Sequence, residues 1–116
     1  MIRQFGAVCA ALALALPLSV SAHARLLATS PAAGAELAAA PHALTLDFNE
    51  SVQLAVLKLS SDGREIAVPY DRGASGAHVS VALPALAPGT YQVRWSALTV
   101  DDGHVVKGSF SFVVKP

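Results

Sequence analysis

Two carboxylates and an imidazole crowd one glycine in Asp101-Asp102-Gly103-His104. In an extended backbone Asp102 and His104, two positions apart, project to the same side. Gly103 between them lets the chain bend sharply or take positive φ. A carboxylate oxygen and an imidazole nitrogen aimed at one point suit Cu(II), Zn or Ni. The same residues also make a plain turn, because Asp-Gly between two strands is the commonest hairpin signal. A turn histidine can simply face water. This stretch alone leaves both readings open.

The start of the chain adds donors. Met1-Ile2-Arg3-Gln4 carries a positive charge, Phe5 to Val20 is an apolar run, and Val20-Ser21-Ala22 offers the small residues of a signal-peptidase site. Residues 1–22 are therefore expected to be a cleaved secretory signal, too short for a confident membrane span, and 23–116 the mature domain. Cleavage makes His23 the first residue. Its free α-amine titrates near neutral pH and can yield its proton to a strong Lewis acid, so amine and Nδ1 can close a chelate ring on one metal. His23, His104 and Asp102 together would supply an N,N,N,O set, which suits tetragonal Cu(II).

Composition narrows the alternatives. Cys9 and Met1 are the only sulfur residues and both leave with the signal, which excludes thiolate metal sites and cysteine nucleophiles from the mature chain. Seven Lys and Arg against eight Asp and Glu remain after Arg3 is lost. That balance argues against nucleic-acid binding, which needs a basic patch.

The elements that must position these residues read as strands. Ala24–Thr29, Leu44–Phe48, Leu54–Ser60, Glu65–Val68, His78–Leu83, Thr90–Ala97 and Gly108–Val114 are short, mostly alternating and separated by turn signals. Ser61-Asp62-Gly63-Arg64 reads as a hairpin turn, Asn49-Glu50-Ser51 as a polar corner, and Ala35–Ala40 as loop or short edge strand. Tyr91, Val93, Trp95 and Ala97 share one face, as do Phe110, Phe112 and Val114. His42 and His78 read as exposed or satisfied histidines. About seven antiparallel strands without a convincing mature helix predict an all-β sandwich in one domain.

The mature start His23-Ala24-Arg25-Leu26, Ser30-Pro31, Leu46-Asp47-Phe48-Asn49-Glu50, Gly89-Thr90-Tyr91-Gln92-Val93-Arg94-Trp95, Asp102-Gly103-His104 and Gly108-Ser109-Phe110-Ser111-Phe112 occur in one order along the chain. In these the sequence resembles the CopC family of periplasmic copper-resistance proteins. The resemblance implies an immunoglobulin-like Greek-key β-sandwich that binds copper in the periplasm for resistance, sequestration or delivery. It implies one Cu(II) held by His23, Asp102 and His104, with Glu50 beside them as a supporting or occasional ligand. Some members also hold Cu(I) with methionines. The mature chain has no methionine, so no Cu(I) site is expected.

The resemblance further implies a membrane copper transporter as a possible partner; the protein itself is expected to be a monomer and not an enzyme. Two other readings stand beside it: a histidine-brace copper oxidase or monooxygenase, and a metal-free immunoglobulin-like module. An aspartate in a coordination position would hinder O₂ access in the first. The second would make Asp102-Gly103 only a turn.

Overall fold

The computed structural model describes residues 24–116. These form seven strands: β1 (Leu26–Ser30), β2 (Glu36–Leu37), β3 (Ala43–Ser61), β4 (Arg64–Ile66), β5 (Ser75–Ala82), β6 (Gly89–Thr99) and β7 (Val105–Val114). The expected all-β architecture is present, with the strands apportioned differently. Leu44–Phe48 and Leu54–Ser60 are one 19-residue strand rather than two. The Ala35–Ala40 stretch supplies β2, an edge strand parallel to the end of β7.

β3 is long because it serves two layers. Its first part lies between β1 and β5, and its second part pairs with β6 and β4. The polar residues Asn49-Glu50-Ser51 bend the strand without ending it, and the β5 register shifts across them, between Asp47 and Val52. A further irregularity falls between Leu54 and Val56. It changes which side chains face inward: Leu44, Leu46, Phe48, Val52 and Leu54 are buried before it, and Leu57 and Leu59 after it. An extra residue in one strand shifts the two-residue alternation by one step, which keeps the apolar set on the core side as the strand bends.

Among the described residues, all the buried apolar side chains belong to one cluster. Phe48, from the first part of β3, meets Trp95 of β6 edge to face at 5.2 Å, and Tyr91 stacks on its cross-strand partner Phe112 at 5.4 Å. The Tyr91 hydroxyl donates to the Ala87 carbonyl four residues upstream, the tyrosine-corner contact of β-sandwiches. The Asp62-Gly63 hairpin forms as expected, with both residues at positive φ (53° and 75°) between the paired Ser61 and Arg64, as a type I′ turn requires.

Trp95 constrains the strand beside it. It is the cross-strand partner of Gly108, and a Cβ on Gly108 would lie 2.9 Å from Trp95 Cζ2. Phe48 limits where the indole can retreat. Gly108→Ala is therefore expected to destabilise the fold by about 1–3 kcal/mol, the usual range for overpacking. Urea unfolding of the variant measures this, and an unchanged midpoint would mean that the ring shifts freely.

Candidate metal centre

The β6–β7 connection is a turn built around Thr99. The last ladder pair is Leu98 with Val105. Beyond it the Thr99 N–H donates to the His104 carbonyl (2.8 Å) and the Gly103 N–H to the Thr99 carbonyl (2.9 Å). The Asp102-Gly103 pair is thus not a two-residue hairpin turn of the Asp62-Gly63 kind. Gly103 sits at φ 69° with open space around its α-carbon, so the glycine is needed there for its backbone conformation and not for room.

Thr99 is 2% exposed, yet its hydroxyl faces the turn. It donates to Asp102 Oδ1 and accepts from the His104 N–H at 2.8 Å. The same N–H also reaches Asp102 Oδ1 at 3.1 Å. Asp102 Oδ2 is left 3.8 Å from His104 Nδ1. Both side chains are about half exposed. The two candidate donors do come together, but through a turn held by Thr99 and not through the alternation of an extended strand. Sequence reasoning missed Thr99. The available signal was a threonine three residues before an aspartate at the end of a buried strand face.

The Thr99 hydrogen bond, then the His104 N–H, hold the Asp102 carboxyl below its ordinary pKa; His104's charge adds to this, and partial desolvation opposes it. Because the folded value is depressed, the associated stability is present above the unfolded pKa and lost as pH falls through the folded one. Thr99→Val is expected to raise the Asp102 pKa toward its ordinary value. A carbon-detected NMR titration of the carboxyl reads this directly. No change would remove Thr99 from the control of that carboxylate.

The polar corner of β3 adjoins this turn. The Val100 N–H donates to the Ser51 carbonyl at 3.2 Å. On the other side of the corner, Asn49 N–H donates to the Arg25 carbonyl (3.0 Å), and the Arg25 N–H donates to Asn49 Oδ1 (2.6 Å). Glu50, half-buried, lies between these contacts. The beginning of the described chain and the Asp102–His104 turn are therefore fixed to one bend of β3.

Residues 26–115 match the CopC domain family. The chain belongs to the CopC family. Protein YobA of Escherichia coli is 38% identical over 103 residues, spanning 84% of this chain and 82% of YobA. YobA of Shigella flexneri matches to the same extent. Among solved structures, CopC from Methylosinus trichosporium superposes with a TM-score of 0.66 at 29% identity, covering 81% of this chain and 95% of that one. PcoC, a copper resistance protein from Escherichia coli, gives 0.59 at 28% identity over 78% and 99%.

Within this CopC-family chain the expected site residues fall into three groups. Asp102 and His104 are together, and Glu50 lies on the adjoining bend. His23 lies outside the described residues, two positions before Arg25, as do residues 1–22, where the signal and its cleavage site were expected. No three His, Cys, Asp or Glu side chains come together for a metal among the described residues. Asp102 and His104 form one His–Asp pair there, and His78 and Asp47 another. His42 is exposed. His78 is also exposed, and sits within β5 with its Nδ1 against Asp47 Oδ1. No helix among the described residues is long and apolar enough to cross a membrane.

Proposed function

We propose that this CopC-family protein binds one Cu(II) ion in the periplasm and serves copper resistance by sequestering or delivering it, without catalysis. The ligands are the amine and imidazole of His23, the Asp102 carboxylate and the His104 imidazole. Glu50, on the adjoining bend, would orient a ligand or approach the ion. The observation that carries the reading is the pinning of Arg25 and of the Asp102–His104 turn to the same bend of β3. Two extended residues reach about 7 Å, so His23 stays within a short reach of Arg25. Imidazole, amine and carboxylate donors suit Cu(II), whereas Cu(I) prefers soft sulfur ligands that residues 23–116 lack. Secretion through residues 1–22 would expose the α-amine and deliver a monomer to the periplasm, where a membrane copper transporter is the natural recipient.

Copper titration of the mature protein tests this. Trp95 is the single tryptophan, and β6 leads from it into the turn. Seven extended residues to Asp102 span at most about 23 Å, a range over which paramagnetic Cu(II) quenches indole emission. One equivalent of Cu(II) is expected to quench Trp95 strongly and to give a single electron paramagnetic resonance spectrum with nitrogen ligation. Zn(II), with its filled d shell, should leave the emission nearly unchanged and fail to displace copper. Quenching that rises steadily past one equivalent would indicate scattered surface binding and overturn the reading.

A further inference from the structure

Away from the core, the outward side chains of β3, β6 and β7 fall into rows set by the cross-strand register. In the row nearest the Asp102–His104 turn, Leu98 stands opposite Val105, which is 61% exposed. The next row holds Val56, Ser96 and Lys107, and the one after it Lys58, Arg94 and Ser109. These last two rows line a groove of about 540 Å³. Lys58 is directly opposite Arg94, and like charges so placed on adjacent strands repel and destabilise the pair. Lys107 lies on the diagonal from Arg94. None of the three cations has an ion-pair partner among the described residues. Glu65, opposite Ser60 one row further on, is at the margin of this face.

We propose that this face docks an extended acidic segment of a protein partner, carrying an apolar residue beside its carboxylates. Charge complementarity selects the carboxylates: they would relieve the Lys58–Arg94 repulsion, and the Ser96 and Ser109 hydroxyls can donate to them. The Leu98–Val105 row accepts the apolar residue. The surface is a concave groove, which a protruding segment fills and a plane of lipid headgroups does not. The apolar row leads directly into Asp102-Gly103-His104, so a docked partner is held next to that turn. The inference does not depend on copper binding.

The test uses the mature apoprotein and a short dye-labelled peptide of glutamates around one leucine, followed by fluorescence anisotropy at low ionic strength. Saturable binding is expected. Lys58→Gln, Arg94→Gln and Lys107→Gln should each weaken it about two- to fivefold, the range of exposed ion pairs, and the triple variant should abolish it. Val105→Ser should weaken binding, and so should replacing the peptide's leucine by serine. Salt should weaken it as screening shortens toward about 8 Å at physiological ionic strength. His78→Ala, on β5 and outside this face, should bind the peptide as the unaltered chain does. Circular dichroism melting confirms that the glutamine variants, which only remove like charge, stay folded. Undiminished binding by the folded triple variant would overturn the proposal. Equal affinity for inorganic pyrophosphate, with no effect of the leucine, would replace it with a small-anion site. Pelleting with phosphatidylglycerol vesicles without peptide binding would replace it with a membrane surface.

Discussion

A Gly-Ser-Gly-Ser extension placed ahead of His23 in the mature chain, long enough to keep the imidazole away from the third position where a new amine and two amides would chelate Cu(II), is expected to lower Cu(II) affinity by about two orders of magnitude or more, roughly 3 kcal/mol, while leaving the fold intact. The reason lies in the chemistry of a chain start. A free α-amine with a pKa near 8 holds its proton loosely at neutral pH and readily gives it up to Cu(II), and it then shares the ion with the imidazole of its own residue. The extension converts that amine into an amide, which has no lone pair to offer at neutral pH, and so removes one donor and opens the ring. The described residues do not depend on it. Arg25 keeps its two hydrogen bonds to Asn49, and Ala24 keeps its place in the core. Competition titration against a chelator of known affinity, alongside thermal melting, separates the two effects. Equal affinity with and without the extension would remove the amine from the site. Retention of residues 1–22 should have the same effect as the extension, which makes processing a precondition of binding.

The strands were legible because their apolar residues alternate on the period of a half-buried sheet, most clearly in β6, where Tyr91, Val93, Trp95 and Ala97 are all buried. The type I′ turn at Asp62-Gly63 was legible for a related reason: both of its residue types tolerate positive φ, and the strands on either side fix its length. The unity of β3 was not. Asn49-Glu50-Ser51 has the composition of a turn, and only the pairing with β1 on one part and β6 on the other shows why the backbone continues through it. The change of inward parity near Ala55 was equally hidden, since Leu54-Ala55-Val56-Leu57 is apolar throughout and carries no alternation to read.

At the site, residue types disclosed Asp102 and His104 but not how they meet. An extended backbone would have aligned them by parity. Instead a four-residue connection closed by Thr99 and His104 does so, with Gly103 in the left-handed region. Thr99 escaped notice because it falls just beyond the Thr90–Ala97 alternation, beside charged residues that carry the more obvious chemistry. Its buried position is what makes it effective, since a hydroxyl with no water to turn to is committed to Asp102 and to the His104 N–H.

His104→Ala is expected to weaken Cu(II) binding by about ten- to a hundredfold and to shift the electron paramagnetic resonance spectrum toward more oxygen ligation. Even groups that only orient a ligand are typically worth that much, so the loss of a nitrogen donor should cost no less. Asp102→Asn should act in the same direction more mildly: the amide oxygen can still approach the metal and still accept from Thr99, but without charge. His78→Ala and His42→Ala provide the contrast. His78 is engaged with Asp47 on β3 and β5, and His42 precedes β3 as an exposed residue. Neither belongs to the bend that joins Arg25 to Val100, so both variants should bind one Cu(II) with unchanged affinity and spectrum. The comparison also guards against a trivial cause, since His104 and His78 are both exposed and neither replacement removes core packing. If His78→Ala proved as damaging as His104→Ala, the ion would sit between β3 and β5, and the turn built around Thr99 would be only a turn.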